Sequence, residues 1–235
     1  MLVVGNTADP DTGYVGDRCA ARGLTQLRIW REEAVPHELP PGISVVLLLG
    51  SEWSVAHPVA PAVLEAECAL VRSAGEAGVP VLGLCYGAQV LAHAYGGRVS
   101  VAPLPEVGLV SVHSLDEARV PSGPWWSFHS DVIEAPPHAR LLAHNAYGVQ
   151  AFEVPGALGV QFHPEVRPEV FAEWLRRVPT TANAAGVSVA DLGALAVRRQ
   201  EDARKAAHVL VDDFLTRFSV DLVAHPLEPP VPTTP

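Results

Sequence analysis

Largely apolar runs of strand length recur through the first hundred positions, at residues 1–4, 44–49 and 79–84, and residues 25–30, with Leu27, Ile29 and Trp30 alternating with polar positions, look like a further strand. The run at 44–49 reads Ser-Val-Val-Leu-Leu-Leu. It lacks the polar alternation of a half-exposed strand, so it is expected to be covered on both faces, and 79–84 is read the same way. Between these runs lie helical signals. Residues 17–23 read as a short helix after a loop rich in Asp, Gly, Thr and Pro. Residues 58–78 carry Pro near the start, apolar Val63, Leu64, Ala66, Leu70 and Val71, and Gly at the end. Residues 86–95 form a third helical stretch, closed by Gly96-Gly97. Strand and helix alternate, which predicts a parallel α/β sheet with helices on both faces.

Beyond residue 97 the pattern changes. Short strands are expected at 98–102, 107–113, 132–135, 141–144, 149–154 and 158–161, separated by Pro, Gly and Asn turns. They read as antiparallel additions to the sheet. Residues 168–177 are helical, and so are 188–218, with a break near 192–194. Residues 225–235 hold five prolines and are expected to be loosely held. The resulting expectation is one α/β domain over 1–180, with a mixed, mostly parallel central sheet flanked by helices. A helical extension over 181–224 packs on it, and a Pro-rich tail follows. The 235 residues suffice for one large domain and are few for two.

Composition narrows the function. The net charge of −10 and the pI of about 5.4 argue against nucleic acid or an anionic membrane as partner. No apolar stretch is long enough to span a bilayer, and the apolar N-terminus lacks the basic lead of a signal peptide. Cys19, Cys68 and Cys85 neither form a disulfide framework nor carry zinc-type spacing. They fit a reducing cytoplasm. The ten histidines show no metal-ligand spacing, and there is no phosphate-binding glycine loop, so neither metal nor cofactor is expected. Cys19, Cys68 and the Trp125-Trp126 pair read as packing residues, and 198–204 as a solvated helix face.

Two segments carry chemistry. In Gly83-Leu84-Cys85-Tyr86-Gly87-Ala88-Gln89 a strand ends at Cys85 and a helix starts at once. Gly-x-Cys-x-Gly is the cysteine form of a nucleophile elbow, in which small residues let strand and helix approach closely around a sharp turn. The helix N-terminus favours a thiolate, and the Tyr86 N–H, lacking an intrahelical partner, is free to hold an oxyanion. A buried structural cysteine between packing glycines is the competing reading of the pattern taken alone. The second segment is Gln161-Phe162-His163-Pro164-Glu165. Residues i and i+2 of an extended chain point the same way, and Pro164 keeps His163 extended. A histidine and a carboxylate on one side form the base and orienter of a triad.

Together these segments resemble the class I glutamine amidotransferases, which hydrolyse glutamine with a Cys-His-Glu triad. Gly50-Ser51-Glu52-Trp53, after a buried strand, matches the place of the family's oxyanion glycine. Phe128-His129-Ser130-Asp131 is similar to its segment for the amino-acid end of glutamine. Pro105-Glu106-Val107-Gly108 resembles the subfamily related to the glutaminase domain of GMP synthase. The resemblance runs from about residue 3 to 174 and implies a flavodoxin-like three-layer sandwich. It implies Cys85 as nucleophile, His163 as base and Glu165 as orienter. Gly50 and Tyr86 become oxyanion donors, and Gln89, His129 and Ser130 substrate-binding residues. It also implies L-glutamine as substrate and a separate synthetase subunit that takes the ammonia. A free-standing hydrolase of γ-glutamyl or other small amides, or a non-catalytic regulatory module on the same fold, are the alternatives.

Overall fold

The computed structural model describes residues 1–218. In chain order they form β1 (Leu2–Gly5), α1 (Gly13–Ala21), β2 (Leu27–Trp30), β3 (Val46–Leu48), α2 (Pro61–Glu76), β4 (Val81–Leu84) and α3 (Tyr86–Ala94). Then come β5 (Arg98–Val110), β6 (His113–Ser114), β7 (Trp125–Glu134), β8 (Arg140–Asn145), β9 (Gly148–Val154) and β10 (Ala157–Val160). Three helices follow, α4 (Pro168–Arg177), α5 (Pro179–Ala184) and α6 (Val189–Arg217). The expected tail at 225–235 lies outside the described residues.

Eight strands form the central sheet in the order β2-β1-β3-β4-β10-β9-β8-β6. From β2 to β10 neighbours run parallel, and β9, β8 and β6 extend the sheet antiparallel. The runs in β1, β3 and β4 are buried on both faces, as their lack of alternation predicts, whereas β2 at the sheet edge is partly exposed. Leu2, Val4, Val46, Leu48 and Val81 pack on α2 and α3. Their neighbours Val3, Leu47, Leu49, Leu82 and Leu84 pack on α1 and the C-terminal half of α6. The period of two in a strand thus divides one hydrophobic run between two helical layers. The outer helix α6 is also held by charge, since Asp212 takes Arg18 at 2.6 Å and Arg22 at 2.8 Å.

Four expectations are corrected. The strands expected at 98–102 and 107–113 are one strand, β5, with an irregularity between Val101 and Glu106. It pairs with β7 as a separate two-stranded ribbon rather than joining the sheet. The strand expected at 132–135 begins at Trp125, because Ser127 and His129, polar enough to suggest a loop, both bond the buried Glu106 across the ribbon. Helix α6 runs unbroken through 192–194. Gly193 costs about 1 kcal/mol relative to Ala, but Leu192 and Ala196 on either side are buried against α4 and the ribbon. Helix α1 starts at Gly13, where the Asp11 carboxylate accepts the Gly13 N–H. The short α5 had no counterpart in the reading. Trp125 and Trp126 are core residues, and Trp125 stacks on Phe162 at 4.4 Å.

Helix α3 lies directly on β3. A Cβ built on Gly87 would stand 2.3 Å from the Leu48 carbonyl oxygen and 2.7 Å from its Cβ. Gly87→Ala must therefore push α3 outward. The expected loss is about 1–3 kcal/mol, read as a lower urea midpoint; an unchanged midpoint would show that α3 has room to spare.

Candidate active site

The turn between β4 and α3 consists of Cys85 alone. Its φ of 50° and ψ of −106° lie where a residue with a Cβ is rarely found. The conformation is held from both sides, by Cys85 N–H donating to Val160 O on β10 at 2.8 Å and by Cys85 O accepting Gln89 N–H at 3.0 Å. Cys85 is nearly buried, yet it lines a cleft of about 380 Å³. The cleft lies at the carboxyl ends of the parallel strands, where open α/β sheets bind ligands.

His163 follows β10, the strand beside β4. Its N–H donates to Trp126 O at 2.7 Å, which ties it to the ribbon. Its Nδ1 donates to Glu165 Oε1 at 2.7 Å, fixing the ring, and Trp174 of α4 packs edge-on against it at 4.7 Å. The Glu165 carbonyl in turn accepts the Tyr14 N–H at the start of α1. His163 Nε2 is buried without a protein partner and belongs to the same cleft as the Cys85 sulfur. Burial alone would disfavour the imidazolium. The carboxylate of Glu165 and the negative charge available at Cys85 outweigh it and hold the His163 pKa well above its ordinary value.

The other expected residues gather at the same place. Gly50 ends the segment after β3, and a Cβ there would come within 2.8 Å of His163 Cε1 and 3.6 Å of Cys85 Cβ. Tyr86 is the first residue of α3, so its N–H has no intrahelical acceptor. Gln89 is buried on the cleft wall, with its Oε1 unpaired. His129 and Ser130 lie on β7 along the cleft. The His129 ring is committed elsewhere. Its two nitrogens face Glu106 Oε2 at 2.8 Å and the Asp131 carbonyl at 2.9 Å. Burial would raise the Glu106 pKa, but His129, Ser127 and Asn145 hold the carboxyl below the usual carboxylate range. Only the backbone of His129 is left for a ligand.

Several cleft residues had not been singled out. Gln161, just behind the cleft wall, donates to Cys85 Sγ at 3.6 Å and accepts from Gln89 Nε2 at 3.5 Å, a chain from α3 to the Cys85 sulfur. Residues 161, 163 and 165 share one parity in a segment that the sequence reads as extended, but the chain bends at 161–162 and turns at 164–165 beyond the end of β10. Asp131 accepts from Ser54 at 2.7 Å, and Trp174 donates to Asp9 at 2.9 Å. These pairings join segments far apart in the chain and leave no local pattern. Asp9, Asp11, Glu52, Asp131, Glu169 and Glu173 make the cleft acidic; its one arginine, Arg177, is paired with Asp9. Among the described residues no group of three or more His, Cys, Asp or Glu side chains is arranged to hold a metal ion.

Residues 47–178, more than half of the chain, match the family model described as glutamine amidotransferase class-I. The chain is 35% identical over 180 residues to the glutamine-hydrolyzing GMP synthase of Aeropyrum pernix, covering 67% of this chain and 33% of that protein. It is 42% identical over 97 residues to one subunit of the glutamine-hydrolyzing GMP synthase of Sulfurisphaera tokodaii, covering 37% of this chain and 52% of that one. It thus spans about a third of the length of the Aeropyrum relative. Among solved structures, a glutamine amidotransferase of Thermotoga maritima superposes with a TM-score of 0.79 at 21% identity, over 91% of this chain and 96% of that one. A glutamine amido transferase of Methylobacillus flagellatus gives 0.75 at 22%, over 92% and 94%.

The raised His163 pKa has a consequence for stability. The folded value lies above the 6.5 of an unperturbed histidine, so the proton on His163 stabilises the fold. The contribution is complete below about pH 6.5 and is lost as the pH rises through the folded value. Urea unfolding of the native chain and of His163→Gln is expected to show a stability gap that narrows with rising pH above that point. A gap independent of pH between 5 and 9 would contradict the imidazolium assignment.

Proposed function

The chain belongs to the class-I glutamine amidotransferases, and on that premise we propose that it hydrolyses the side-chain amide of L-glutamine to glutamate and ammonia through Cys85, His163 and Glu165. The observation that carries this reading is the convergence of a strained cysteine and a carboxylate-held histidine on one cleft. In the first half-reaction the Cys85 sulfur, whose proton is already held on His163, attacks the amide carbon. The carbonyl oxygen becomes an oxyanion held by the N–H groups of Gly50 and Tyr86. Such donors contribute roughly 10²–10³ each in rate because they are aimed before charge develops. His163 returns the proton to the leaving nitrogen, the C–N bond breaks, and ammonia departs from a γ-glutamyl thioester. In the second half, His163 takes a proton from water, hydroxide adds to the thioester, and glutamate leaves as the thiol is restored.

Glu165 holds the imidazole tautomer and stabilises its charged form. Gln89 offers its unpaired carbonyl oxygen to a substrate N–H, and Asp131 beside Ser54 is placed to meet an α-ammonium group. The His129 and Ser130 backbone completes the amino-acid pocket. Residues 1–180 then act as the catalytic unit, in a reducing cytoplasm that keeps Cys85 a thiol. The ammonia passes to a separate synthetase subunit, a reading supported by relatives whose names make them one subunit of a GMP synthase. The acidic mouth favours a second reading, hydrolysis of γ-glutamyl amides whose amine carries a cation.

Glutamate release by the purified chain, with and without a candidate synthetase subunit, tests the proposal. Release is expected to vanish in Cys85→Ala and to fall by about 10²–10⁴ in Glu165→Gln, the range for loss of a base or its orienter. Turnover of γ-glutamyl amines with none of glutamine would favour the second reading. Undiminished release by Cys85→Ala would overturn both.

A further inference from the structure

Arg31 has no part in the chemistry above, yet it is the most fully engaged charge in the core. It follows β2, and its side chain and that of its partner Glu67 on α2 are both 0% exposed. Arg31 Nε donates to Glu67 Oε1 at 2.8 Å, and Nη1 donates to Asn6 Oδ1 at 2.9 Å. The remaining donors grip two successive peptide carbonyls, Leu49 O from Nη2 at 2.8 Å and Gly50 O from Nη1 at 3.2 Å. The guanidinium carbon also lies 4.7 Å above the ring of Tyr86. A buried ion pair is weak grounds for stability, since well-packed apolar residues of the same volume often serve as well or better. What this pair supplies is direction.

In a trans peptide the C=O and the following N–H point oppositely across the plane. Two successive carbonyls drawn to one guanidinium therefore turn the next two N–H groups, those of Gly50 and Ser51, to the opposite side. That side is the cleft, because Leu49, Gly50, Ser51 and Cys85 line it and Arg31 does not. The same guanidinium seats the ring of Tyr86, whose N–H is the donor from the other side. Only the planar fork of arginine can hold two carbonyls and a carboxylate at once; a lysine ammonium is a point charge without that geometry.

We propose that Arg31, oriented by Glu67, is the positioning residue of the oxyanion pocket. It fixes the Gly50–Ser51 N–H groups and the Tyr86 N–H at one point, with Ser51 as a further donor. The inference rests on the oxyanion roles proposed for Gly50 and Tyr86, but not on glutamine being the substrate. Two probes of Cys85 separate it from a general structural role. Acylation by p-nitrophenyl acetate passes through a tetrahedral oxyanion whatever the natural substrate. Alkylation by iodoacetamide displaces iodide directly and forms none.

The variant of choice is Arg31→Met with Glu67→Leu, which removes both charges and strands neither. Rates are taken relative to Cys85→Ala as background. Acylation is expected to slow on the order of 10²-fold while alkylation stays at the native rate. Arg31→Lys keeps the charge beside Glu67 and serves the same comparison should the double variant not fold; it is expected to slow acylation selectively, by less. Equal losses in both reactions, or a loss in neither, would overturn the proposal. Native glutamate release that is absent while the acylation-to-alkylation ratio still depends on Arg31 would count against the glutaminase reading alone.

Discussion

The site depends on how closely helix α3 can approach the sheet. Cys85 turns from strand to helix in one residue, in a backbone conformation that side chains with a Cβ rarely adopt. That turn survives only because neighbouring strands grip it and because Gly87 has no Cβ to strike Leu48. Close approach has two chemical results. The Cys85 side chain stands at the start of a helix on the cleft, and the first N–H of that helix has no intrahelical acceptor. A strand order that puts β10 beside β4 does the rest. His163 leaves the sheet one strand away from Cys85, and the Val160 carbonyl that supports the Cys85 turn precedes His163 by three positions.

Around this centre the chain uses buried polar groups as spacers rather than as a source of stability. The β5–β7 ribbon carries a buried His129–Glu106 pair, joined to Ser127, Asn145 and Gln150. Arg31 and Glu67 form a second such pair behind the Leu49–Gly50 segment. Each would cost several kcal/mol if one partner were lost, and each fixes backbone that lines the cleft. Helix α4 closes the site from the other side with Trp174, which packs on His163 while its indole N–H is held by Asp9. The reactive groups are thus ordered by elements from the whole length of residues 1–177.

Much of this was legible in the sequence, for a physical reason. The buried parallel strands read as unbroken apolar runs, and the elbow and the His-Pro-Glu segment are local, so their geometry is written in consecutive residues. What escaped was non-local. Strand β7 looked like a loop because the partner that satisfies Ser127 and His129, Glu106, lies across the ribbon. The continuity of α6 through Gly193 is decided by packing against α4, which propensity does not report. Arg31 looked like an ordinary residue at a strand end, and nothing near it in sequence announces the Leu49 and Gly50 carbonyls that it holds. Gln161 lies within the local segment that also carries His163 and Glu165, but it reaches the Cys85 sulfur from a bend beyond β10 rather than from an extended strand.

The central claim is that Cys85 carries a γ-glutamyl group during turnover. Acid-quenching the chain with isotopically labelled L-glutamine and mapping peptides by mass spectrometry tests it directly. The account predicts a labelled γ-glutamyl adduct on the peptide containing Cys85, absent in Cys85→Ala and accumulating when Glu165→Gln slows deacylation more than acylation. Release of labelled glutamate with no adduct at Cys85, or an adduct on another residue, would contradict it.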